Sequence, residues 1–415
     1  MHQFLSEMIF MSEEKLVPKL RFPDFEHNWE SKKLKDLSNI QRGASPRPIT
    51  AKKWYDNENK KVGWVRIGDV TSSSKYLTKT EDYFSEEGVK KSRFLPKGSL
   101  IMSICATIGK PIVTGMDTCI HDGFVGFSEL KNINKEFLYY YLNILEPKFI
   151  SLSQTGSQAN LNSDLVRNAE IGVPSIQEQE KIVNFISAVD KKHNILNKNL
   201  ETQLSFKRYL MQQIFTQKLR FENYNEAIYK LSDLYSSKKG TGLSKDKLDE
   251  EGLNKCILYG ELYTTYNEII QDVKSKTNSQ EGILSKVGDI LIPSSTTTKG
   301  IDLVTASVIL EENVLLSGDI TILRSKNENI INNKFFAYYF TNNLVKDVSK
   351  LTQGSTIIHL YWKDFKKVKL ALPPINEQNK CVDLFLKLDK KIDLINFQIQ
   401  KMEEFKKGLL QQMFV

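Results

Sequence analysis

The residues able to do covalent or metal chemistry are few and scattered. Five histidines (His2, His27, His121, His193, His359) and four cysteines (Cys105, Cys119, Cys256, Cys381) are spread over 415 residues. There is no C-x-x-C pair and no His/Cys spacing of the kind a zinc site uses. His121 and Asp122 are adjacent, but neighbours on a strand point to opposite faces, so they make a poor acid–base dyad. His193 has no second His or Cys three or four residues away and reads as a polar register marker in a helix seam. The chain lacks a G-x-x-x-x-G-K-[ST] loop, a G-x-G-x-x-G turn and a G-x-S-x-G elbow. Leu372-Pro373-Pro374-Ile375 lacks the leading amide or acid of an amino-methylating tetrapeptide. The expectation is a non-catalytic chain with no metal or cofactor of its own.

Composition sets the frame for this absence. The chain carries 58 Lys+Arg against 50 Asp+Glu, a net +8, with 26% charged and 40% hydrophobic residues. That is ordinary globular composition, with a prior of about two to three domains. It argues against a disordered tail, a collagen-like fibre or a disulfide scaffold. Unpaired cysteines fit a reducing cytoplasm. No apolar run reaches the ~18–20 residues of a membrane span, so no membrane partner is expected. Met11 opens an ordinary start, and residues 1–10 are set aside as a possible upstream extension. The mild positive charge permits nucleic-acid binding without demonstrating it.

The elements that must position any site declare themselves by repetition. Ile176–Phe215 and residues 375–414 align without gaps and share 15 of 40 residues, including Glu178/Glu377, Gln179/Gln378 and Asp190-Lys191-Lys192/Asp389-Lys390-Lys391. Weaker echoes lie upstream: Leu34, Asp36, Leu37 and Gly43 match Leu231, Asp233, Leu234 and Gly240, and Gly156-Ser157 matches Gly354-Ser355. In the first repeated tail Ile182, Ile186, Val189, His193, Leu196, Leu200, Gln203, Lys207, Leu210 and Ile214 follow a 4-3 spacing. Cys381, Phe385, Leu388, Ile392, Ile395, Ile399, Met402, Lys406, Leu409 and Met413 repeat it. That period predicts two long helices packed through one seam. Similar halves in a near-twofold arrangement would set them antiparallel. Ser175 with Glu178 three residues on predicts a capping box at the first helix; Pro374 replaces the serine at the second.

Before each helix lies a mixed segment. Short β-type runs are predicted at 62–67, 99–104 and 111–114, and at 257–262, 289–293 and 304–310. Helical stretches follow at 134–144 and 334–345, with turn clusters at 42–46, 72–74, 154–158 and 294–300. The fold class is therefore α+β: two strand-rich globular domains alternating with two long helices that pack as an antiparallel coiled coil with pseudo-twofold symmetry. The expected domains are 11–173, 174–221, 222–373 and 374–415. Charge divides unevenly, because residues 222–374 carry 19 Lys+Arg against 19 Asp+Glu. A nucleic-acid surface there needs a local patch or a positive field from bound partners, and partners are the favoured source.

At the paired P-x-I-x-E-Q helices the chain resembles the specificity (S) subunit of type I restriction–modification systems. The residues carrying the resemblance are Val17-Pro-Lys-Leu-Arg-Phe-Pro, Val173-Pro-Ser-Ile-Gln-Glu-Gln, Leu372-Pro-Pro-Ile-Asn-Glu-Gln, Leu210-Met-Gln-Gln-Ile-Phe and Leu410-Gln-Gln-Met-Phe. It covers residues 13–415. One departure is Thr296–Gly300 (TTTKG), where the first half has the more family-like Thr107-Ile-Gly-Lys. The resemblance implies two target recognition domains that each read half of a split, asymmetric site in double-stranded DNA. It implies helices that space the half-sites and dock two methyltransferase subunits, with restriction (nuclease-translocase) subunits joining them. S-adenosylmethionine, ATP and magnesium would then sit on those partners.

Side chains on turn clusters are the natural DNA contacts, since bases are read from the major groove and phosphates are held by basic and hydroxyl groups. The candidates are Arg42, Ser45, Arg47, Lys52, Lys53, Arg66, Lys110 and Gln158 in the first domain. In the second they are Lys238, Lys239, Thr241, Thr297, Lys299 and Ser355. Trp54, Tyr55 and Trp64 are expected in the core. Two other readings stand beside this one: a duplicated coiled-coil scaffold that does not touch DNA, and an enzyme fused to a specificity domain, which the missing motifs disfavour.

Overall fold

The computed structural model describes residues 16–153 and 160–415. The chain divides into two compact units, one of residues up to 196 plus 398–415, the other of residues 197–397. Each unit holds one variable segment, the beginning of one long helix and the end of the other. Four helices organise the description: α1 (Lys135–Leu152), α2 (Ile176–Phe215), α3 (Asn333–Asn343) and α4 (Ile375–Met413).

Both units use one plan. In the first, a five-stranded sheet runs in the spatial order Asn39–Arg42, Phe124–Ser128, Leu100–Ser103, Pro111–Thr114, Tyr76–Leu77. A four-stranded sheet orders Asp82–Phe84, Val62–Val65, Thr118–Ile120 and Arg93–Leu95. In the second unit the five are Tyr235–Lys239, Ile320–Ser325, Ile290–Pro293, Ser307–Ile309 and Ile269–Ile270. The four are Lys276–Thr277, Asn254–Ile257, Leu315–Leu316 and Ile283–Leu284. A two-stranded ribbon ties the entry of each unit to the strand before its long helix: Glu30–Lys33 with Glu170–Val173, and Ala227–Lys230 with Lys369–Leu372. The second unit adds a pair, Ser295–Thr296 with Ile358–His359.

The helices meet antiparallel in each unit. In the first, Asp190 pairs with Lys406 at 2.6 Å and His193 Nε2 with Glu403 at 3.1 Å, so three residues forward on α2 match three back on α4. In the second, Lys207 pairs with Asp389 at 2.5 Å, and Phe215 lies 5.6 Å from Phe385. The seam is driest where a domain covers it. Ile182, Ile186 and Val189 are buried with Leu409 and Met413, and Phe385, Leu388, Ile392 and Ile395 are also buried. Leu196, Leu200 and Ile399 stay half-exposed, because two helices alone leave the flanks of a seam open to water.

Side chains from the repeated motifs fasten each domain to the helices. The Gln179 carboxamide accepts from Asn134 N–H at 2.7 Å and donates to Pro174 O at 2.9 Å; Gln378 accepts from Asn332 N–H and donates to Pro373 O, both at 2.9 Å. Each amide is fully buried and satisfied, which makes it a specific clamp rather than a burial penalty. Phe414 inserts among Trp29, Phe137 and Tyr141, and Phe215 among Phe335, Tyr339 and Phe385. The terminal Phe of each closing Gln-Gln-x-Phe motif is thus the plug of an aromatic nest.

Several local expectations need correction. The capping box at α2 is only half formed: Glu178 N–H reaches Ser175 Oγ at 3.3 Å, but the Glu178 carboxylate accepts from Arg21 Nε and one terminal guanidinium nitrogen, each at 2.8 Å. A buried carboxylate gains more from a bidentate cation than from one backbone amide. The strand expected at 257–262 ends at Ile257, and Glu261–Thr264 is helical. The strand at 62–67 stops at Val65, where a short helix begins at Ile67. The helix expected at 134–144 runs on to Leu152 through Pro147, because its buried face continues to Phe149. One echo was missed: Lys-Leu-Arg-Phe occurs at 19–22 and again at 218–221. Leu20 N–H donates to Gln412 O at 2.8 Å, and Leu219 N–H to the equivalent Gln213 O at 3.1 Å.

Candidate nucleic-acid interface

Two of the first unit's candidates, Arg42 and Ser45, meet at one turn, His121-Asp122-Gly123. Gly43 N–H donates to Phe124 O at 2.9 Å, which presses the 42–46 loop onto this turn. A Cβ on Gly43 would lie 2.0 Å from His121 O, so glycine is required by close approach. Arg42 Nε then donates to Asp122 O at 2.6 Å, and Ser45 Oγ to Asp122 Oδ1 at 3.0 Å. His121 Nδ1 accepts from Gly123 N–H at 2.8 Å, and burial holds its pKa below the ordinary histidine value. The ring is therefore a neutral structural group, and its 3.8 Å approach to Asp122 is no catalytic dyad.

Other first-domain candidates are placed differently. Arg66 is exposed but paired with Asp82 at 2.5 Å. Lys53 lies 4.2 Å over the Trp54 ring. The Arg47 and Lys52 side chains are exposed and have no hydrogen-bond or ion-pair partner among the described residues. Lys110 is half-buried, its Nζ 3.4 Å from Thr71 O, away from the His121 turn's contacts. Trp54 and Trp64 are buried and Tyr55 is half-buried, with Trp64 stacked on Phe84 at 4.2 Å. Gln158 and the Gly156-Ser157 turn lie outside the described residues.

The second unit builds an equivalent turn from Ser317-Gly318-Asp319. Gly240 N–H donates to Ile320 O at 2.8 Å, and a Cβ there would lie 1.9 Å from Ser317 O. Asp319 pairs with Lys239 at 3.4 Å and accepts from Ser295 Oγ at 3.0 Å. The Ser295–Thr296 strand pairs with Ile358–His359, which brings the 297–300 turn against the 352–358 loop. Thr297, Lys299 and Ser355 are thus exposed in one neighbourhood. Thr241 is exposed beside a separate cavity of ≈ 600 Å³ that Leu243, Tyr259 and Asp319 help to line. Sequence reasoning missed Tyr361, Trp362 and Lys363, which share a ≈ 380 Å³ groove with Lys238 and Lys239. The available signal was an aromatic–aromatic–lysine run just downstream of a recurring Gly-Ser turn.

Neither turn assembles a nucleophile with a base. No group of three or more His, Cys, Asp or Glu side chains that could hold a metal occurs among the described residues. Among those residues, no helix is long and apolar enough to cross a membrane. What both units present are basic and hydroxyl groups on turns held by a rigid sheet, joined in the second unit by the half-exposed Tyr361 and Trp362, an arrangement suited to contacting a polyanion.

Comparison with known proteins agrees with this reading. The type I restriction modification DNA specificity domain matches the chain twice, over residues 26–205 and 224–404. A putative type I restriction enzyme MjaX specificity subunit of Methanocaldococcus jannaschii is 23% identical, over 96% of this chain and 95% of that protein. The MjaIX specificity subunit of the same organism is 22% identical over 92% of each. The crystal structure of a type I restriction–modification S subunit from M. genitalium superposes with a TM-score of 0.60 at 17% identity, covering 96% of this chain and 99% of that one. With both repeats matched, the chain belongs to the type I restriction–modification specificity-subunit family, as a non-catalytic member.

Proposed function

We propose that this chain reads a bipartite, asymmetric double-stranded DNA site, one half with each strand-rich domain. The observation that carries this is the pairing of one fold plan with two different surfaces. The sheets, ribbons and helix clamps recur, while the exposed turns differ. Shared parts suit a partner present twice; differing parts suit two different half-sites. The domains are 11–173 and 222–373, and the candidate turn residues are the contacts. The helices of 174–221 and 374–415 set the spacing and dock two methyltransferase subunits, through which restriction subunits join. S-adenosylmethionine, ATP and magnesium belong to those partners, in the cytoplasm.

The test is co-expression with the cognate methyltransferase subunits, followed by single-molecule sequencing of methylated DNA. One bipartite sequence with two dissimilar halves is expected. No co-purifying methyltransferase, together with absent or salt-insensitive DNA binding, would leave a duplicated scaffold as the better account.

A further inference from the structure

The second domain has no net charge, yet its lysines are not evenly used. Lys255 pairs with Glu311 at 2.6 Å, Lys247 with Glu281 at 2.7 Å, and Lys274 with Asp272 at 2.5 Å. Lys238 and Lys363, by contrast, are exposed and have no ion-pair partner among the described residues. They line the same ≈ 380 Å³ groove, with Lys239, Ser294, Tyr361 and Trp362.

This groove is built rather than incidental. Leu360 N–H donates to Ser294 O at 3.0 Å, anchoring the 361–363 segment to the central sheet. Ser294 Oγ and Thr321 Oγ1 lie 2.8 Å apart and fix the groove floor. The Tyr361 ring stacks on His359 at 5.3 Å, with the planes only 11° apart, and Lys363 Nζ sits 5.6 Å from the same ring. Trp362 is held edge-on by Phe365 at 5.2 Å and remains half-exposed, whereas Trp29, Trp54 and Trp64 are buried. Two unpaired cations flanking pre-stiffened aromatic rings match the needs of a duplex backbone, cations for phosphates and apolar walls for the sugars between them. The cations lose little on binding because no internal partner must be broken.

We infer that the Lys238–Lys363 groove, with Tyr361 and Trp362, is the principal DNA-contacting surface of the second domain, and that Lys238 and Lys363 each neutralise one phosphate. This rests on the DNA-reading function proposed above. It supplies locally the positive field that the domain's overall composition lacks. Tyr361 and Trp362 place an apolar wall beside the phosphates and tie this surface to the second half-site.

The experiment uses the full chain in complex with its methyltransferase subunits and a duplex containing the methylated sequence found in the host. Affinity is measured across salt concentrations for wild type, K238A/K363A and, as a charge-matched control in and beside the Lys276–Thr277 strand of the same domain, K274A/K276A. Loss of two phosphate contacts should reduce the log K against log salt slope by about 2, at ~0.9 per phosphate. The control should leave the slope within about 0.5 of wild type, half of one such contact. An unchanged slope in K238A/K363A, or an equal fall in the control, would overturn the groove while leaving DNA reading intact. A wild-type complex that binds duplex no more tightly than its methyltransferase subunits alone would overturn the functional reading and the groove together.

Discussion

Asp190→Ala should unfasten the first domain from the helices. The Asp190 carboxylate accepts from Tyr140 OH at 2.7 Å and from Lys406 Nζ at 2.6 Å, joining α1, α2 and α4 through one group. Its side chain is 19% exposed and that of Lys406 is 32% exposed, so the two bonds differ in worth. A hydrogen bond to a charged acceptor contributes ~1.5–3 kcal/mol. A part-exposed ion pair adds only about 0.5–1 kcal/mol. Burial, foremost, pushes the Tyr140 phenol well above its ordinary value, so it remains a donor throughout any practical pH range. The total expected loss is about 2–4 kcal/mol. For a unit of this size that corresponds to roughly 4–16 °C in melting temperature. The assay is a double-mutant cycle of Tyr140→Phe and Asp190→Ala, read by thermal and urea unfolding. A coupling energy of at least ~1 kcal/mol is expected for groups sharing one bond, against the ~0.3–0.5 kcal/mol scatter of independent sites. Coupling within that scatter would refute the view that this carboxylate carries the junction. Tyr338, Asp389 and Lys207 form the matching set in the second unit, so Asp389→Ala should behave alike.

Other outcomes follow from the same geometry. Gly240→Ala places a Cβ 1.9 Å from a backbone oxygen, so it should destabilise the second unit by about 2–3 kcal/mol, seen as a lower urea midpoint. Matched one-turn insertions after Gln203 and before Ile392 add about 5.4 Å of rod and should lengthen the unspecific spacer by roughly one to two base pairs without changing either half-site; an unchanged methylation pattern would count against the helices as spacers. Residues 11–221 alone should dimerise and direct methylation to a palindrome of the first half-site; a well-folded monomer by ultracentrifugation would contradict this. Because His121 is held neutral with a lowered pKa, its contribution is complete above the unfolded value of ~6.5 and is lost as pH falls through that value toward the folded one. Wild type should therefore lose more thermal stability than His121→Asn between about pH 7 and pH 5, measured by melting across that range.

The sequence alone determined the parts that obey a period. The 4-3 seam is legible because helical geometry forces apolar residues onto one stripe, and every one of its twenty positions is buried or half-buried. Duplication was legible for the same reason: the tails serve one geometry twice, so Glu178/Glu377 and Gln179/Gln378 stayed alike. Short strands were less legible. A run such as 257–262 satisfies strand and helix equally, and only the pairing of Cys256 and Ile257 with Leu315 and Leu316 decided where the strand ends. The diversion of Glu178 to Arg21, 157 residues away, could not be read locally either. The interface depended most on tertiary structure. Which lysines are already neutralised is settled by carboxylates from distant strands, and the groove that joins Lys238 to Lys363 exists only once Ser294 has accepted the Leu360 amide. Local pattern fixes the elements, but a surface made of residues 125 positions apart is a property of how those elements pack.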